Sequence, residues 1–269
     1  MRLKIALILS IILMFVAIFA PLIFSHNPNV GDLQMKFSPP SSEYWLGTDH
    51  LGRDILSRLG YGARISFFSV VCISFLIIIS SFSVGMIAGY KGGMVDNVLM
   101  RFCDVFLTFP TFVLALFFIA ILGVGLVNVI LAIALTHWAW YARMVRSIVL
   151  EVRTQNHIIA ARMLGGSELK ILWQHILPVV FVQMIILITL DFGHMLLHIA
   201  GLSFLGLGVQ APMAEWGVMI QDFAPFVMEY PHLMFYPGFC IFVSVAVFNT
   251  LGEALRDKYA LDSIGVKSD

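Results

Sequence analysis

Long stretches without charged side chains constrain this sequence more than any other feature. There are five long apolar stretches, residues 5–24, 65–90, 105–142, 176–207 and 230–252. Four of them contain no Asp, Glu, Lys or Arg, and residues 176–207 contain only Asp191. A bilayer core is crossed by roughly 20 apolar helical residues, so residues 105–142 are long enough for two spans with a turn at residues 123–128. Barrel strands would alternate apolar and polar residues, which these stretches do not. The sequence therefore predicts an all-α polytopic membrane protein with six transmembrane helices.

The composition excludes most soluble functions. Hydrophobic residues make up 60% of the chain and charged residues only 12%, against roughly 45–50% and about 25% in an ordinary soluble domain. A free soluble enzyme, a nucleic-acid-binding protein and a disordered chain are therefore excluded.

Three scattered cysteines, Cys72, Cys103 and Cys240, predict neither a disulfide framework nor a metal site.

The distribution of Lys and Arg predicts that both termini are cytoplasmic. In that orientation 12 of the 16 basic residues lie inside the cell, and four, Lys36, Arg53, Arg58 and Arg64, lie outside. Positive charge is concentrated on the cytoplasmic side of membrane proteins, so the reverse orientation is disfavoured. Residues 1–24 are predicted to be an uncleaved anchor helix, because their apolar run is longer than that of a signal peptide.

The long polar segment of residues 25–64 is predicted to be extracytoplasmic. Thr48 can cap a short amphipathic helix at the membrane surface, in which Asp54 and Arg58 pair at i, i+4. The residues leave open whether this segment is a structural collar or a docking surface for a partner.

A second segment, residues 154–176, is predicted to form two short cytoplasmic helices. Asn156 can cap the first helix, Gly165 and Gly166 can end it, and Ser167 can cap the second. The first helix carries more apolar surface than a free loop tolerates, which favours docking into a groove of a partner protein. A helix lying on the inner membrane leaflet is the alternative.

Three ionisable residues lie within the fifth predicted span. Asp191, His194 and His198 are spaced i, i+3, i+7 and share one helical face. A charge at the bilayer centre costs roughly 2.5–3.5 kcal/mol, so Asp191 needs a partner or a wet cavity. The three groups are candidates for the translocation path and for transient contact with a divalent metal such as nickel, copper or zinc. A polar network that fixes helix packing is the alternative.

The sequence contains no catalytic motif and no phosphate-binding loop of the type G-x-x-x-x-G-K-[ST]. The chain is therefore predicted not to be an enzyme and to hold no cofactor. If ATP hydrolysis drives it, the ATP is bound and hydrolysed by a separate chain.

Several motifs resemble those of ABC-importer permeases. Ile159-Ala160-Ala161, Gly165 and His175-Ile176-Leu177-Pro178 are similar to the coupling signature E-A-A, three residues, G, nine residues, I-x-L-P. Ile159 stands in place of the usual Glu, and His175 in place of the usual Ile. Other stretches resemble the second permease subunit of dipeptide, oligopeptide and nickel importers: 46–58, 92–96, 101–110, 203–208 and 215–217. Two stretches, 137–146 and 190–198, look closer to the nickel-import branch.

This resemblance implies a type I ABC-importer permease in a bacterial cytoplasmic (inner) membrane. It implies a permease core at residues 65–257, a cytoplasmic tail at residues 258–269, and transport of nickel or a nickel chelate. The implied partners are a second homologous permease, two ATPase subunits that use ATP, an extracytoplasmic solute-binding protein and the lipid bilayer. The residues implied in ATPase coupling are Ile159, Ala160, Ala161, Gly165 and Gly166. A peptide or another metal chelate is the alternative solute, and a secondary transporter is the less favoured class.

Overall fold

A computed structural model describes residues 2–263, and these residues fold into ten α-helices. Residues 264–269 of the predicted tail lie outside the described residues. The helices are α1 (Arg2–Ile23), α2 (Ile55–Lys91), α3 (Gly93–Leu107), α4 (Thr111–Leu122), α5 (Leu126–Val152), α6 (Asn156–Met163), α7 (Glu168–Ile171), α8 (Leu177–Phe204), α9 (Trp216–Phe223) and α10 (Pro231–Ser263). The only β-pairing in residues 2–263 is an isolated bridge between Thr48 and Asp54. The all-α prediction is therefore confirmed.

Four helical segments of the described chain are long and apolar enough to cross a membrane. They are Arg2–Ile23, Ile55–Lys91, Glu168–Phe204 and Pro231–Tyr259. The pair α3 and α4 makes a fifth if it is counted as one bent span. The fourth predicted span corresponds to α5, whose 27 residues are long enough but whose second half carries Arg143, Arg146 and Glu151. Six spans and cytoplasmic termini stay predictions.

The chain bends sharply where the third predicted span begins. α3 ends at Leu107, α4 begins at Thr111, and the two helices meet at 87°. Pro110 explains the break, because a proline disfavours helical backbone at the preceding residue. The uncharged run that begins at Val105 therefore contains a break at Pro110 before the helix α4.

The predicted turn after α4 lies where expected. Gly123 and Gly125 both have positive φ, at 91° and 140°. The Asn128 amide donates to the carbonyl oxygens of Leu122 at 2.8 Å and Gly123 at 3.1 Å. These bonds satisfy carbonyl groups that the end of α4 leaves unpaired.

The described chain divides into two compact units. The first contains residues up to 72, residues 119–130 and residues from 189 onward, and the second contains residues 73–118 and 131–188. In the first unit, the rings of Phe192 and Phe248 stack with centroids 3.8 Å apart. Phe67 meets both rings, and also Trp216, edge to face. This aromatic cluster forms part of the core of the first unit.

In the second unit, two glycines let α2 and α5 approach closely. A Cβ on Gly85 would lie 2.5 Å from the Ala142 carbonyl oxygen, and a Cβ on Gly89 would lie 2.8 Å from Val149 Cβ. The two glycines are four residues apart and so occupy one face of α2. Small residues at this spacing permit close contact between membrane helices.

We predict that Gly85→Leu lowers the thermal unfolding midpoint of the detergent-solubilised protein. The new side chain would force α2 away from α5, and overpacking of this kind typically costs about 1–3 kcal/mol. Ser83→Leu is the matched control, because Ser83 is exposed on the same helix. Equal midpoints for the two variants would contradict the close packing of α2 on α5.

Candidate functional site

The segment between α5 and α8 begins with the short helix α6. Its N-cap is Gln155, whose backbone is extended and whose side chain makes no capping bond. The prediction that Asn156 caps this helix was wrong, because Asn156 is already its first helical residue. α6 ends at Met163, and Gly165 follows with φ of +82°. This is the left-handed conformation expected of a glycine that ends a helix.

The second helix of the segment, α7, is continuous with α8 through a π-helical turn. The Ser167 side chain accepts a hydrogen bond from the Lys170 amide at 3.4 Å, as predicted for a cap. α7 then passes into a π-helical turn, Leu172–Ile176, instead of continuing as α-helix to Ile176. Pro178 gives the physical reason, because a proline cannot donate the helical bond and its ring crowds the carbonyl four residues earlier. The wider turn accommodates that loss.

The segment exposes a group of apolar side chains. Ile158 is buried, but the next residue, Ile159, is 44% exposed. Ala160 and Gly165 are also exposed, while Ala161 and Gly166 are half-buried. The most exposed large apolar side chains are Leu164, Met163 and Leu169, followed by Trp173. The structure thus places the five residues predicted for coupling around one turn, beside an apolar surface.

Polar contacts join this segment to the end of α2. The Arg162 guanidinium donates to both carboxylate oxygens of Glu168, with Nε–Oε1 at 2.8 Å and Nη2–Oε2 at 3.2 Å. The hydrogen bond to Glu168 raises the pKa of Arg162, which is charged at any physiological pH. The Tyr90 hydroxyl also donates to the Glu168 carboxylate. A groove of about 380 Å³ is lined by Tyr90, Arg153, Thr154, Ile159, Arg162 and Glu168.

The three ionisable residues of α8 are only partly brought together. His194 Nδ1 lies 3.1 Å from Asp191 Oδ1, whereas His198 Nδ1 lies 2.8 Å from the backbone oxygen of His194. The His194 side chain is 74% exposed and that of Asp191 is 22% exposed. Among residues 2–263, no group of three or more His, Cys, Asp and Glu could hold a metal ion. A role of these residues in the translocation path stays a prediction.

A buried charge network lies in the first unit, where sequence reasoning predicted a surface helix. Arg53 and Arg58 are 2% and 0% exposed, and Asp49 is fully buried between them. Arg53 Nε lies 2.7 Å from Asp49 Oδ2, and Arg58 Nε lies 3.5 Å from the same atom. Asp222 supplies the second carboxylate, 3.1 Å from Arg53 Nη2 and 3.5 Å from Arg58 Nη2. Two buried cations are thus balanced by two carboxylates.

Two expectations for this region were wrong. Thr48 caps no helix, because its hydroxyl donates to the Met35 carbonyl and α2 begins only at Ile55. The Asp54 carboxylate accepts a hydrogen bond from the Ser57 amide at 2.9 Å and caps α2 instead of pairing with Arg58. The i, i+4 spacing of Asp49 and Arg53 could have predicted the ion pair between them. Nothing in the local sequence indicated Asp222.

The same region holds His50, a half-buried histidine beside the charge network. The His50 ring stacks on Phe226 with centroids 5.3 Å apart. Burial lowers the pKa of His50, so its neutral form is favoured in the folded chain.

Comparison with known proteins identifies the family. Residues 81–260 match the model of the family described as binding-protein-dependent transport system inner membrane component. The chain belongs to this family. It is accordingly a permease subunit of the inner membrane and not an enzyme, as the sequence predicts.

Curated relatives narrow the branch of the family. The chain is 46% identical to the nickel transport system permease protein NikC of Escherichia coli K12, over 94% of this chain and 92% of that protein. It is 41% identical to the dipeptide transport system permease protein DppC of Alkalihalophilus pseudofirmus, over 92% and 81%. It is 40% identical to the metal-staphylopine import system permease protein CntC of Staphylococcus aureus, over 94% and 87%. The resemblance to second permease subunits of the peptide and nickel importers is confirmed.

We predict that Asp49→Asn destabilises the protein by about 3–5 kcal/mol, because removing one charge of a buried pair leaves the other uncompensated. Arg53 and Arg58 would then share Asp222 alone. Chemical unfolding of the purified protein measures the loss. Glu43→Gln removes an exposed carboxylate from the same segment and serves as control. A loss no larger than that of the control would show that the network contributes little to stability.

Proposed function

We propose that this chain forms half of the transmembrane pathway of an ATP-driven importer of nickel or a nickel chelate. The observation that carries the proposal is the 46% identity to a nickel transport permease over 94% of this chain. The metal-staphylopine permease, at 40% identity, supports a metal or metal-chelate solute.

A dipeptide or oligopeptide importer is the competing function. The dipeptide permease is 41% identical over 92% of this chain. Overall sequence identity therefore favours a nickel solute over a peptide solute only slightly. A secondary transporter is disfavoured, because the family is one of binding-protein-dependent systems.

The proposed assembly follows from the family and from the orientation that Lys and Arg favour. This chain pairs with a second homologous permease, two ATPase subunits bind and hydrolyse ATP, and an extracytoplasmic binding protein delivers the solute. Residues 1–24 form the anchor, residues 25–64 lie outside the membrane, and residues 65–257 form the core with six spans in total. Both termini are cytoplasmic in this arrangement.

Coupling to the ATPases is assigned to α6 and the turn that follows it. The exposed apolar side chains of this segment, such as Met163 at 85% and Leu164 at 88% exposure, suit insertion into a protein groove. The small residues Ala160 and Ala161 allow close approach, and Gly165 provides the left-handed turn. ATP binding moves the ATPases, and the docked segment carries that movement to the permease.

The solute path is assigned to the polar face of α8. The exposed His194 imidazole and its contact with Asp191 support this role, because an exposed polar face in a membrane helix requires a wet cavity or a partner. The imidazole nitrogens of His194 and His198 would contact the metal transiently as it passes.

We expect Gly165→Leu to abolish coupled transport while the protein still inserts. A leucine is strained at φ of +82°, so the turn that orients α6 cannot form. Gly165→Asn is the matched control, because asparagine tolerates the left-handed conformation and should retain most of the activity. Uptake and ATP hydrolysis are measured together in the reconstituted complex. Normal coupling by the leucine variant would place the coupling segment elsewhere.

Uptake of radiolabelled nickel, in cells lacking this chain and in complemented cells, tests the solute. We expect complementation to restore uptake that excess dipeptide does not inhibit. In the same assay, His194→Ala combined with His198→Ala should reduce uptake more than it reduces assembly of the complex. His232→Ala removes a histidine outside this face and is the control. A peptide-uptake defect with unchanged nickel uptake would support the competing function.

A further inference from the structure

Glu168 follows the proposed coupling turn and contacts two other helices. It is the first residue of α7, and its carboxylate accepts bonds from Arg162 in α6 and from Tyr90 in the last turn of α2. The Tyr90 hydroxyl also lies 3.1 Å from the Glu168 backbone oxygen. One acidic residue thus connects α2, α6 and α7.

The contact with Arg162 is a side-chain connection across the Gly165–Gly166 turn. Gly165 is exposed, and a Cβ placed on it would meet no atom within 4 Å, whereas a Cβ on Gly166 would lie 2.8 Å from the Ala161 carbonyl oxygen. Arg162 and Glu168 flank this turn and are joined by two nitrogen–oxygen contacts, Nε to Oε1 and Nη2 to Oε2. A two-point contact fixes orientation as well as distance. The ion pair therefore adds a side-chain connection across a turn that two backbone hydrogen bonds close, Gly165 N to the Arg162 oxygen at 3.1 Å and Gly166 N to the Ala161 oxygen at 3.0 Å.

The contact with Tyr90 ties the same carboxylate to a firmly anchored helix end. Gly89, next to Tyr90, packs against Val149 of α5. The Gly89 carbonyl accepts a hydrogen bond from Arg153 Nη1 at 2.8 Å. The end of α2 is thus held on α5 through both packing and a hydrogen bond, and it offers a fixed point for Glu168.

These contacts add little to folding stability. The Arg162 and Glu168 side chains are 46% and 55% exposed, and exposed ion pairs typically contribute about 0–1 kcal/mol. Their removal should therefore leave the protein folded. What they supply is a side-chain connection between α6, α7 and the end of α2.

We infer that Glu168 is a positioning residue that transmits the movement of α6 to α2. The inference rests on the proposed coupling function of α6. With Glu168 in place, displacement of α6 by the ATPase is carried through Arg162 and Tyr90 to the end of α2. Without it, the same displacement of α6 moves α2 less, and less solute is transported per ATP hydrolysed.

The test uses the complete complex, with both permeases, the ATPases and the binding protein, reconstituted in liposomes. The quantity measured is solute transported per ATP hydrolysed, with radiolabelled nickel or alanyl-alanine, whichever the wild type takes up. We expect Glu168→Gln to lower this ratio about fivefold, which corresponds to about 1 kcal/mol of lost coupling. Tyr90→Phe, which removes the contacts of the Tyr90 hydroxyl with Glu168 and leaves Arg162 in place, should lower it as well.

Two further measurements separate positioning from folding. The unfolding midpoint and the retention of ATPase subunits on purification should match the wild type in Glu168→Gln. Glu151→Gln removes a nearby exposed carboxylate and should keep the wild-type ratio. The double variant Arg162→Glu, Glu168→Arg swaps the two charges and restores the ion pair. It should recover the part of the transport ratio that depends on the contact between residues 162 and 168.

The outcomes distinguish this inference from the function on which it rests. A wild-type ratio in Glu168→Gln, or loss of its ATPase subunits, would overturn the positioning role. If Gly165→Leu uncouples transport and Glu168→Gln does not, only the present inference fails. If Gly165→Leu couples normally, the coupling segment itself has been misassigned.

Discussion

The absence of water in the bilayer core is the constraint on which this structure depends. Backbone N–H and C=O groups there must bond within the protein, and an α-helix satisfies them all within one segment. Residues 2–263 accordingly contain helices and no extended sheet. Where the helix α4 ends, a side chain supplies the missing hydrogen bonds: the Asn128 amide donates to the carbonyl oxygens of Leu122 and Gly123.

The same constraint changes how the helices hold together. Hydrophobic burial drives little association between helices that lipid already surrounds, so close backbone approach matters more. Gly85 and Gly89 provide that approach between α2 and α5. Charged groups are concentrated instead in compact networks, of which the Asp49, Arg53, Arg58 and Asp222 group is the most deeply buried described above.

The sequence predicts those features that depend on local chemistry. Helical class, the turn at Gly123, the left-handed Gly165 and the Ser167 cap all follow from residue types at short spacing. The Asn156 cap was a local prediction that failed, but other missed features depend on distant residues. Arg58 pairs with Asp49 and Asp222 rather than with Asp54 because the fold brings residues 164 positions apart together. The contact of Glu168 with Tyr90, 78 positions away, is of the same kind.

The π-helical turn at Leu172–Ile176 also sets the rotational phase of α8. Such a turn accommodates one residue more than the α-helix would, and each residue rotates an α-helix by about 100°. Deleting one residue here, so that the turn closed as ordinary α-helix, would swing every later side chain of α8 around the axis. The directions of the Asp191 and His194 side chains therefore depend on a turn that ends some 15 residues before Asp191.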